Sequence, residues 1–186
     1  MSDDDLRRMM TKLAAAAHLV ASELDDLIGL AYESTVGESV QVAGGDVVDL
    51  HAVGDQRART ALADALAALP APQRARLLVR INSEATPWFA ADLQALAQLT
   101  AQGLAGAVVP KAERAQTLQA VAQAAGPQAA LVPLVESVAG LAAADALAAA
   151  PQVARLAFGH LDFQVDAGMA CAEDEQELLP VRMALV

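Results

Sequence analysis

The chain has 186 residues, 55% of them hydrophobic, which is enough for one substantial core. A formal net charge of −11 gives an acidic surface that repels phosphate backbones, so a nucleic-acid partner is not expected. The mean hydropathy of +0.36 comes mostly from alanine, and no uninterrupted apolar run reaches about 18 residues, so no membrane span is expected either.

The opening MSDDDLRR puts acids before any apolar stretch, the wrong polarity for a signal or transit peptide. The single cysteine, Cys171, cannot form an internal disulfide and suits a reducing compartment. A soluble, cytoplasmic protein is predicted. Ser2 followed by Asp3, Asp4 and Asp5 reads as a helix N-cap with acids in the first turn. Leu6, Met9, Met10, Leu13, Ala17, Val20, Leu24, Leu27 and Ile28 continue as a helical stripe suited to the core or to a helix–helix contact. Residues 1–43 are thus assigned an N-terminal helix and a possible hairpin, with 44–186 as the main domain. The following ESVQVAGGDVVDLHAV is either a hairpin turning on Gly44-Gly45 or a loop leading into a parallel strand, DVVDL. DQRARTALADALAALP reads as a helix ended near Pro70.

From Gln73 onward two textures alternate. Short runs rich in Val, Leu and Ile read as strands: ARLLVRIN (75–82), GAVVPK (106–111), ALVPLVES (130–137) and ARLAFGHLDF (154–163). The alanine-rich stretches TPWFAADLQALAQLTAQ, AERAQTLQAVAQAA and GLAAADALAAA between them read as helices. Continuous apolar strands indicate a parallel sheet covered on both faces, within α/β architecture. Polar residues keep step with the strand–helix period: Arg80, Lys111, Glu136 and Asp162 follow one another at 31, 25 and 26 residues. Right-handed crossovers would bring all four to the carboxyl ends of the strands, where α/β proteins place their active sites.

Each of these residues also has an ordinary explanation. Glu136 could serve the N-terminus of a helix beginning at Gly140, Asp162 could be a turn residue after Gly159, and Arg80 could be a strand-end ion pair. Lys111 reads as structural or surface rather than as a Schiff-base lysine. His51 offers a neutral-range pKa for acid–base work but also reads as a surface residue. His160 stands close to Asp162 in sequence, His18 lies on the N-terminal helix, and Trp88 should open a helix and pack. Cys171 has no His or basic neighbour in sequence to activate it.

The motifs LLVRIN, TPWFAADL, GLAGAVVPKAE and LVPLVESVAGLAAADALAAAPQVARLAFGHLDFQVDAG, in this order, resemble the HpcH/HpaI aldolase and citrate lyase beta-subunit family. The resemblance implies an incomplete TIM-type (β/α) barrel, because such barrels typically need about 250 residues. It implies a carbon–carbon lyase or aldolase that depends on Mg²⁺. The substrate would be a small hydroxy acid or its acyl-CoA thioester, cleaved through a metal-stabilised enolate. Arg80 would grip a substrate carboxylate or carbonyl, Glu136 would face substrate, and Glu136 with Asp162 would hold Mg²⁺. Asp49, in DLHAV, would be a further catalytic acid; His51 and Ala52 stand where the family motif carries acids. A pyruvate-type aldolase without CoA is a variant of the same reading. The rival is a catalytically impaired remnant or oligomerisation module, since a barrel of four or five strands leaves edges and apolar faces that favour a homo-oligomer.

Overall fold

The computed structural model describes residues 46–49 and 56–186; the predicted N-terminal helix, His18, His51 and Ala52 lie outside the described residues. Five strands, β1 (Asp46–Asp49), β2 (Leu77–Arg80), β3 (Gly106–Val109), β4 (Ala130–Val135) and β5 (Ala157–Phe158), pair in sequence order, every pair parallel. DVVDL thus supplies a parallel strand, and the other arm of the alternative hairpin lies outside the described residues. Helices α1 (Gln56–Ala68) and α2 (Ala71–Arg74) link β1 to β2, while α3 (Phe89–Ala101) and α4 (Ala115–Ala125) fill the next two crossovers. The short helices α5 (Val138–Ala142) and α6 (Ala144–Ala148) lead to β5, and α7 (His160–Ala167), a 3₁₀ turn at Gln176–Leu178 and α8 (Leu179–Ala184) follow it. Among the described residues, successive parallel strands joined by helices build an incomplete TIM-type barrel, with five strands of the usual eight.

Strand alternation divides the interior into two layers. Leu77, Val79, Ile81, Ala107, Val109, Leu131 and Val135 face the helices and pack with Leu96, Leu99, Leu118, Val121 and Leu147. Burying each Leu or Val contributes about 1.5–3 kcal/mol, so this helix-facing layer carries the stability. The alternate residues Leu78, Val108, Val132 and Leu134 form a separate small cluster on the other, concave face. Arg80 continues the parity of Leu78, and Glu136 that of Val132 and Leu134. Both side chains therefore emerge on the concave face at its carboxyl rim.

Three expectations need correction. The run 154–163 is a strand only at Ala157–Phe158. The cause lies in β4: the N–H of Leu131 donates towards Gln152 (2.9 Å), so position 133 points its nitrogen to the same side, and Pro133 has no N–H to give. Pairing along that edge is reduced to the Leu131–Val153 bridge and the Ala157–Phe158 strand, and the chain turns into α7 at once. Asp162 consequently sits in the first turn of a helix, not on a strand end. GLAAADALAAA splits at Ala143 into α5 and α6. Trp88 does open α3, but it is 38% exposed instead of packed.

Candidate active site

Arg80 and Glu136 meet across the concave face. The strand register sets Arg80 level with Val108 and Val132, four positions before Glu136, so contact depends on the long arginine side chain reaching along that face. Its Nη2 lies 3.4 Å from Glu136 Oε1, with the glutamate almost wholly buried. The other oxygen, Oε2, accepts the backbone N–H of Lys111 at 3.0 Å. Gly159 closes the third side: a Cβ there would lie 2.4 Å from Glu136 Cγ and 2.9 Å from Oε1. Glu136 is not a helix cap. Ser137 has that role for α5, accepting the N–H of Gly140 at 3.0 Å while donating to Glu113 Oε1 at 2.7 Å.

Lys111 connects the two acids singled out by the motif. Its φ of 47° breaks the strand alternation after β3, aiming its N–H at Glu136 while its Nζ lies 3.6 Å from Asp162 Oδ2. Asp162 and the lysine are each about half exposed. His160 is buried and commits Nε2 to Glu175 (3.1 Å), which also pairs with Arg182 and so ties the segment after α7 to this corner. Asp49 aligns with Arg80 in the backbone register, at the same rim. Cys171 has its pKa raised by partial burial and by the neighbouring Glu177 and Glu175, which fits an inert thiol.

Sequence reading missed a buried carboxylate that ties the end of β2 to α1. Asp92, in the first turn of α3, is fully buried and accepts the backbone N–H and the side-chain Nδ2 of Asn82, both at 2.7 Å. Its other oxygen takes Arg59 of α1, with Nε at 2.8 Å and Nη2 at 2.6 Å. Asn82 follows Arg80 by two residues, so this network fixes where β2 ends. The available signal was a lone acid among the apolar positions of TPWFAADLQALAQL.

Burial is the largest influence on Glu136 and raises its pKa above the ordinary 4.5; Asp162 adds to the rise, while Arg80 and the Lys111 N–H oppose it. The folded state therefore holds this proton more tightly than the unfolded chain. The associated stability is complete below about pH 4.5 and is lost as the pH climbs through the raised value. Glu136→Gln cannot ionise and escapes that loss. Its melting temperature relative to wild type is expected to climb from pH 4.5 towards neutrality in metal-free buffer. A difference that stays flat would mean that the cations beside Glu136 offset its burial completely.

An aspartate close enough to raise the cost of ionising Glu136 suits a divalent cation placed between the two. Among the described residues no group of three or more His, Cys, Asp or Glu side chains gathers to hold a metal. Mg²⁺ is commonly bound through only one or two carboxylates with water completing its shell, so Glu136 and Asp162 are a fitting donor set. No described helix is long and apolar enough to cross a membrane.

Solved structures of known proteins resemble this fold. The chain is similar to RipC from Yersinia pestis, with TM-score 0.59 and 30% identity over 75% of this chain and 62% of that one. The citrate lyase beta subunit of M. tuberculosis complexed with oxaloacetate and magnesium is similar at TM-score 0.58 and 28% identity, covering 75% of this chain and 60% of that one. CitE from Mycobacterium tuberculosis in complex with magnesium, acetoacetate and coenzyme A matches at TM-score 0.56 and 27% identity, covering 75% and 51% respectively. The chain thus spans between half and two-thirds of the length of these structures. No curated protein matches it. The HpcH/HpaI aldolase/citrate lyase pattern matches residues 33–186, from before β1 through α8, and on that match the chain belongs to the HpcH/HpaI aldolase/citrate lyase family.

Proposed function

We propose that the protein is a Mg²⁺-dependent carbon–carbon lyase or aldolase acting on a small hydroxy acid or its CoA thioester. The observation that carries this reading is the approach of Arg80 to a buried Glu136 on the concave rim, with Asp162 beside it. Arg80 would bind the substrate carboxylate through its guanidinium fork and fix its orientation. Glu136 and Asp162 would hold the cation, and Asp49, level with Arg80, would stand as a further acid at the same rim. When bound, Mg²⁺ supplies positive charge that stabilises the enolate as the carbon–carbon bond breaks. Gly159 and the Lys111 N–H hold the Glu136 carboxylate at one position, so that little reorganisation is needed when the ligand arrives. The ligands of the relatives, oxaloacetate in one and acetoacetate with coenzyme A in another, support a 2-oxo or acyl-CoA class of substrate without choosing between them. A pyruvate-type aldolase without CoA uses the same residues.

One observation favours an association module instead. Val165 of α7 and Leu179 and Met183 of α8 are 82%, 56% and 68% exposed, apolar surface suited to another subunit. A single titration separates the two readings. Mg²⁺ is expected to raise the melting temperature of the wild-type protein, and Glu136→Gln and Asp162→Asn are each expected to abolish that rise. A wild-type protein that ignores Mg²⁺ would leave association as the better account.

A further inference from the structure

We infer that Lys111 sets how tightly the Glu136–Asp162 pair takes a divalent cation, by holding Asp162 with its own ammonium until the ion displaces it. The inference rests on the reading of that pair as a cation site. The two acids have different counter-charges. Glu136 is buried against Arg80, whose side chain is itself only 12% exposed. Asp162 faces Lys111 Nζ at 3.6 Å, with both side chains more than half exposed. An exposed pair of that kind is weak and exchanges readily with solvent ions, so Lys111 is the counter-charge an incoming cation can remove.

The backbone at Lys111 gives this residue two separable functions. A φ of 47° is costly for a side chain other than glycine, and here it lets one residue address both acids. The N–H holds Glu136 Oε2 whatever side chain position 111 carries. The ammonium alone competes for Asp162, and it also repels a dication that arrives beside it. Removing the ammonium should therefore tighten cation binding without loosening Glu136.

The test is Mn²⁺ binding to the full chain, with free Mn²⁺ counted by electron paramagnetic resonance at fixed ionic strength. Lys111→Gln is expected to bind Mn²⁺ about fivefold more tightly than wild type, the upper range of what an exposed ion pair contributes. Lys111→Arg keeps the charge and should stay at the wild-type value. Arg114→Gln removes a cation that pairs with Glu84 instead, and should also leave affinity unchanged. Unchanged or weaker binding by Lys111→Gln, or equal tightening by Arg114→Gln, overturns the inference while leaving the cation site standing. Loss of all Mn²⁺ binding, in wild type and Lys111→Gln alike, removes the cation site itself.

Discussion

Asp92→Ala is expected to destabilise the protein by about 3–5 kcal/mol, the range for breaking a buried ion pair from one side. The carboxylate is fully buried, and its three hydrogen bonds and its ion pair come from α1 and from the end of β2. Without it, the buried Arg59 guanidinium loses its carboxylate partner, and the N–H of Asn82 loses its acceptor. Urea unfolding of the single variants and of Asp92→Ala with Arg59→Met measures the coupling directly. The double variant should recover part of the loss, because an apolar pair no longer carries a stranded charge. A loss below about 1 kcal/mol would show that water reaches Arg59 and that the network is not a brace.

Much of this architecture is legible in the sequence because it is local. β2, β3 and β4 are short continuous runs of Leu, Val and Ala, and α3 and α4 carry a helical apolar period, so element type follows from neighbours along the chain. Arg80 and Glu136 could be assigned to strand ends by the spacing of those runs. The remainder depends on contacts between distant residues. Pro133 shortens a strand more than twenty residues downstream, because its missing N–H faces that strand across the sheet. Asp162 is thereby moved onto α7, and its contact with Lys111 depends on a left-handed backbone that no residue type at position 111 announces. Asp92 and Arg59 are 33 positions apart, and only the packing of α1 against α3 makes them partners. The site is thus a local pattern of strand ends, made specific by non-local contacts that aim each side chain.

Gly159→Ala should disable the proposed site more completely than a change of comparable size elsewhere. The new methyl would lie 2.4 Å from Glu136 Cγ, a distance no non-bonded carbon pair sustains, and a tight 3.1 Å from Cδ. Gly159 cannot retreat easily, because its own N–H donates to Val135 O at 2.9 Å and its carbonyl starts α7 by accepting from Phe163. Glu136 must therefore give way, leaving the Lys111 N–H and Arg80. Overpacking of this kind typically costs about 1–3 kcal/mol, so the variant should still fold, with an unchanged far-ultraviolet circular dichroism spectrum. The Mg²⁺-dependent rise in melting temperature should nevertheless disappear. Gly168→Ala is the matched control: at φ 63° an alanine is strained, yet nothing lies within 4 Å of its Cβ. It should lose a similar amount of stability, about 1–2 kcal/mol, and keep the whole Mg²⁺ response. If Gly159→Ala also keeps that response, Glu136 can move without consequence and is not the residue that holds the cation.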